Sequence, residues 1–226
     1  MRILRTALGA AFGAMLLLGS TSCALLSKAD VAEARYYSPE RQKPPDPPRD
    51  PDAKPDSNPT HKLRLRAVRA GAHLKHRIVF RESPTKLGFY EDRLWTELPE
   101  DYLRRLLSES LFESRKVQRV IAGAAATLEV EMIAFEEVQN PRRVGRVQIM
   151  FLVHDGNVAR FQETVTVERP IGGDGTDPDA STEAIVAALG EALTIAVDRI
   201  VVRTVSELKS ITPEAPSPIP EPPALP

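Results

Sequence analysis

Proline placement is what most limits how this chain can fold. Of its 20 prolines, eight lie between Pro39 and Pro59 and seven between Pro213 and Pro226. Each proline fixes φ and removes a backbone donor, so neither stretch can supply a regular helix or an interior strand. The segment Ser38 to Thr60, SPERQKPPDPPRDPDAKPDSNPT, reads as extended polyproline-like coil, rising about 3.1 Å per residue. It has too few apolar residues to offset the entropy of ordering. What remains, Lys62 to Ile211, is roughly 150 residues, the size of one domain around one core. The chain therefore divides into a leader at 1–22, a proline-rich stretch at 23–61, a folded domain at 62–211 and a proline-rich tail at 212–226.

The leader has its own logic. Arg2 and Arg5 precede the apolar run Ala7 to Leu18, and Gly19 to Ser22 then lead to Cys23, the only cysteine. A span needs roughly 20 apolar residues, so this run suits a secretory signal rather than a transmembrane helix. Small residues before Cys23 form a lipobox, with Ser20 where Leu is commonest. Cys23 is thus expected to be diacylated (palmitate-type chains) and to become the mature N-terminus. A lone thiol in an exported protein is otherwise a reactive oddity. The segment behind it is either a tether that holds the domain several tens of Å from the membrane or a spacer without further role. Losing residues 1–22 changes the net charge from −1 to −3. Charges of both signs are interleaved, which excludes the concentrated basic stripe that nucleic acid requires.

Within the domain, Leu63, Leu65 and Ala67 alternate with Arg64 and Arg66, the period-2 mark of a half-buried strand. Arg77–Arg81 repeats the pattern with Ile78 and Phe80 on one side. Leu87, Phe89 and Tyr90 suggest a third short strand that ends near Glu91-Asp92, with Trp95 just beyond. Pro99, Glu100 and Asp101 form a helix first turn, and Leu103, Leu106, Leu107 and Leu111 give it an apolar stripe. Thr127–Phe135 alternates again. Ile149–Val153 is apolar at every position, which predicts a central strand covered on both faces. His154–Asn157 is a turn, and Phe161, Val165 and Val167 continue into the second strand of a hairpin. Ser181 and Glu183 open a long helix striped by Val186, Leu189, Leu193, Val197 and Ile200. These elements predict an α/β fold, a mixed central sheet flanked by helices in an αβα-type sandwich, as a single domain.

No catalytic constellation stands out. There is no G-x-S-x-G and no free thiol once Cys23 is acylated. Gly172, Gly173 and Gly175 lack a following G-K-[ST], and Asp174, Asp177 and Asp179 lack calcium-loop spacing. His73 and His76 share a face only on a helix, yet they fall between strands. Neither a metal, a cofactor nor a catalytic residue is expected, and the protein is read as a non-enzyme. Trp95, the only tryptophan, suits a core position beside a helix start, while its neighbours Phe89 and Tyr90 make an aromatic-rich block that is a candidate partner or lipid contact together with it.

On these residues the chain resembles the ABC-type transport auxiliary lipoproteins. The likeness rests on Cys23, the Tyr36-Tyr37 pair, the run HRIVFRESPTKLGFYEDRLWTELP, and the leucine-rich helix leading into SLFESRKVQRV. It spans Tyr36 to Leu208. The sequence departs from the family in the proline-rich insertion between Tyr36-Tyr37 and Leu63, which leaves open whether that pair still adds a strand. The resemblance implies a non-enzymatic lipoprotein of an MCE-type lipid-transport system, working beside a periplasmic MCE-domain protein, an ABC permease and an ATPase, and it leaves a homo-oligomer open. Ala24, rather than Asp, after Cys23 implies sorting to the periplasmic face of the outer membrane. The rival readings are a lipid-anchored hydrolase with a dispersed catalytic set, and a structural lipoprotein whose proline-rich tail binds a partner.

Overall fold

A computed structural model describes residues 33–39, 61–115, 117–172 and 178–211, with side chains from 181 in the last stretch. Cys23, the proline-rich segment at 40–60, the glycine- and aspartate-bearing loop at 173–177 and the tail from 212 lie outside the described residues. The described strands are β1 (Arg35–Tyr37), β2 (Lys62–Leu65), β3 (Arg69–Ala70), β4 (Arg77–Ser83), β5 (Lys86–Trp95), β6 (Gln118–Arg119), β7 (Ala126–Val138), β8 (Val144–Asp155) and β9 (Val158–Pro170). The helices are α1 (Pro99–Ser108), which runs on into a π-helical turn at Glu109–Ser114, and α2 (Pro178–Ser210).

All nine strands join one mixed sheet organised on β7. β8 runs antiparallel along one edge of β7 over almost its whole length. Along the other edge β2, β3 and β4 follow one another, all parallel to β7, with Leu63 opposite Ala126, Arg69 opposite Glu131 and Val79 opposite Glu136. Three short segments thus match one long strand. β4 turns back into β5, and β9 pairs with β8 through the two-residue Gly156-Asn157 turn. Gly156 has φ of +55°, a conformation that costs glycine little.

β1 corrects the predicted boundary. Tyr36 lies opposite Leu94 and Tyr37 opposite Trp95 in a parallel pairing, and Thr96 N–H donates to the Tyr37 carbonyl at 3.0 Å. The sheet therefore starts at Arg35, not at Lys62. The proline-rich segment connects two strands of one sheet instead of separating the anchor from the domain.

Both helices pack on the same face. Val147, Ile149, Phe151 and Val153 of β8 are buried together with Leu189, Leu193, Val197 and Ile200 of α2. Gly145 brings the two backbones close, since a Cβ there would lie 3.1 Å from Leu189 N. Phe135 of β7, level with Val147, meets Trp95 at 5.0 Å between ring centroids, and Trp95 meets Tyr102 of α1 at 6.4 Å. Trp95 is the last residue of β5, which runs past Glu91-Asp92. The opposite face is polar: Arg66 pairs with Glu129 at 2.5 Å and Arg146 with Glu168 at 2.7 Å. Met150 and Leu152 point to that face and stay half-buried, so β8 is not covered on both sides as its apolar run suggested. β7, by contrast, is buried at nearly every position.

α1 starts without a side-chain cap; Pro99 fills the first position, where a missing N–H costs nothing, and Glu100 and Asp101 sit in the first turn. The α2 stripe includes Ala188, Ala192 and Ala196, all buried, which lets the helix lie close on the sheet.

Candidate functional site

The three aromatics of the predicted contact block do not converge. Successive strand residues point to opposite faces. Phe89, opposite Val79, is 41% exposed on one face; Tyr90 turns to the other, 4.9 Å from Phe80 between centroids, with the Arg93 guanidinium 4.1 Å from its ring centre. Trp95 is 0% exposed. Its indole is a core element, leaving Phe89 and Tyr90 as the members of the block that reach the surface.

Tyr90 belongs to a polar cluster that the sequence did not announce. Its hydroxyl donates to Glu137 Oε2, Arg143 Nε donates to Glu137 Oε1, and Arg143 Nη2 donates to Ser181 Oγ at 2.6 Å. Glu137 is fully buried. Burial, and then the hydrogen bond to Glu137, push the Tyr90 phenol up to about 12. Next to it, Glu136 faces the other side of the sheet, also buried, and Arg81 grips it with Nε–Oε1 at 2.7 Å and Nη2–Oε2 at 2.9 Å. That carboxylate raises the Arg81 pKa. The cluster ties β4, β5, β7, the connection just before β8 and the first turn of α2 together. Nothing in the sequence around Glu136-Glu137 announces their burial; what makes it tolerable is one arginine for each, Arg81 and Arg143.

A cleft among the described residues lies elsewhere. It is a cleft of about 1140 Å³ between α1 with its π-turn and the N-terminal half of α2, closed at one side by the chain from Tyr36 to Pro39. Leu106, Val186, Ala187 and Ile195 give it apolar surface, and Ser110, Ser114 and Thr194 give it hydroxyls. Arg105, at its rim, donates to Glu97 at 2.7 Å. Tyr36 stands 64% exposed over the opening. Pro39 is buried against α2 at Gly190, where a Cβ would lie 2.1 Å from the Pro39 carbonyl oxygen. Only glycine leaves room for that crossing. The π-turn is part of the lining, and such turns often occur at functional positions. Tyr36 and Tyr37, singled out in the sequence, are here; the helix residues were legible only as parts of amphipathic helices.

Other sequence candidates stay apart. The His73 ring lies over Gly71, and the His76 carbonyl accepts from Trp95 N–H at 2.6 Å. Among the described residues no group of His, Cys, Asp and Glu is placed to hold a metal ion, and no helix is long and apolar enough to cross a membrane.

Residues 45–201 match the family described as ABC-type transport auxiliary lipoprotein component. Among solved structures, protein XCC0632 from Xanthomonas campestris, of the DUF330 family, is similar at a TM-score of 0.62 and 20% identity, covering 78% of this chain and 98% of its own. An uncharacterized protein is similar at a TM-score of 0.54 and 15% identity, covering 64% of this chain and 92% of its own. At these identities the likeness is one of fold. No curated protein matches.

Proposed function

The chain belongs to the ABC-type transport auxiliary lipoprotein component family, and from that premise we propose that it acts without enzymatic chemistry as a lipid-path element of an MCE-type lipid-transport system. In this reading Cys23 carries the acyl anchor, the protein faces the periplasm from the outer membrane, and its partners are an MCE-domain protein, a permease and an ATPase. The observation that carries it is the cleft. It is large, half-open and mixed in lining, with apolar side chains along α1 and α2 and hydroxyls and charge at the rim. That suits an acyl chain lying between the helices with its head group at the rim, since each methylene taken from water is worth about 0.8 kcal/mol.

The test is photocrosslinking of the full mature chain with a phospholipid bearing a diazirine in its acyl chain. Labels are expected on peptides containing 36–39, 105–114 and 183–195. Ala187→Trp, which fills the cleft from an exposed position, should abolish labelling and leave the melting temperature unchanged. Labelling that ignores this substitution, or that falls on the sheet, would refute the reading; turnover of an ester or amide substrate would favour the hydrolase.

A further inference from the structure

β9 lies at the outer edge of the described sheet. β9 runs for 13 residues, more than twice the usual strand length of about 5–6, and it pairs on one side with β8 from Val158 to Pro170. Among the described strands none pairs with its other edge. Edge strands are normally blunted by shortness, proline, bulges or inward charge, because their unpaired N–H and C=O groups recruit another strand. Here the one register shift lies near the start, opposite Val153 and His154. Phe161 to Arg169 then runs regularly, and its centre is the β-branched sequence Thr164-Val165-Thr166-Val167.

We propose that this edge pairs with the same edge of a second copy of the chain, antiparallel about a two-fold axis at Thr166. Directly opposite residues in an antiparallel pair share a face, so the axis must pass through a residue. Centred on Thr166, Val165 meets Val167 of the second copy twice, Thr166 meets its own counterpart, and Glu163 meets Arg169 at both ends. Such β-branched, Thr–Thr and opposite-charge pairs are the favourable cross-strand combinations, and no like charges fall opposite each other. Arg169 spends only Nη2 on Glu191, at 2.5 Å, and a guanidinium carries five N–H donors. The interface is isologous and closes after two copies. It keeps α2 of both copies on one side, giving a continuous sheet with one helix layer. It does not depend on the cleft or its ligand.

The experiment uses the mature chain with Cys23→Ser, which is free of native thiols. Sedimentation velocity should show a dimer at tens of micromolar. Under mild oxidation Thr166→Cys should give a covalent dimer, since the two Cα atoms at the axis fall in disulfide range, whereas Thr164→Cys should not. Thr166 is exposed, so Thr166→Lys should fold and melt normally yet weaken dimerisation tenfold or more by placing two ammonium groups face to face. A monomer at every concentration overturns the proposal. So does a dimer that is indifferent to Thr166→Lys, or one that crosslinks through Thr164→Cys instead.

Discussion

Gly190→Ala should destabilise this protein, against the usual sign for such a change within a helix. In the interior of an exposed helix, Ala is better than Gly by about 0.8–1.0 kcal/mol. Gly190 sits within α2, with Pro39 lying across it. An added Cβ would be 2.1 Å from the Pro39 carbonyl oxygen and 3.1 Å from its carbonyl carbon. The obstacle is backbone, which cannot swing aside like a side-chain end. Either the segment from Tyr37 to Pro39 or the helix must give way by about 1 Å, and forced overpacking of this kind typically costs 1–3 kcal/mol. Set against the helix gain, the net loss is about 0–2 kcal/mol, or a fall in melting temperature of up to roughly 8 °C for a domain of this size. The displaced segment also carries β1. Hydrogen exchange of the Thr96 amide, bonded to the Tyr37 carbonyl at 3.0 Å, should therefore accelerate more than that of amides in β7. Calorimetry and exchange together decide the matter: a variant as stable as wild type or more so, with Thr96 equally protected, refutes the argument that Pro39 dictates glycine here.

Trp95→Ala empties a fully buried site between Tyr102 and Phe135 and should cost about 3–5 kcal/mol in chemical denaturation; a smaller loss combined with impaired partner capture would return Trp95 to the surface role. Tyr90→Phe leaves the buried Glu137 one donor short, so a loss of about 1–3 kcal/mol near neutral pH is expected. The wild-type phenol is raised to about 12 in the folded protein, against about 10 unfolded. Its contribution is thus fully present below pH 10 and lost as pH rises toward 12. The stability difference between wild type and Tyr90→Phe should shrink over that window, and a gap that stays constant would contradict it. Cys23→Ser should move the protein from the membrane to the soluble fraction on fractionation, with no acyl mass at the N-terminus.

The sequence by itself determined the local elements. Period-2 alternation placed β7 and β9, the leucine and valine stripes placed α1 and α2, and the signal at His154–Asn157 placed the hairpin turn. Each of these is written in neighbouring residues, through side-chain direction and turn chemistry. The tertiary structure alone decided what depends on partners distant in sequence. Three residues at Arg35–Tyr37 have too little pattern to announce a strand, and only the free edge of β5 makes them one. Nothing around Glu136 and Glu137 announces their burial, and only Arg81 and Arg143 make it tolerable. An apolar run made β8 look covered on both faces, whereas one of its faces is only half-buried and β7 is the strand buried at nearly every position. The cleft draws on 36–39, 105–114 and 183–195, whose side chains meet because both helices pack on one face of the sheet. A choice of face is a long-range fact, set by how the two helices share one core, and no single helix carries it in its own residues.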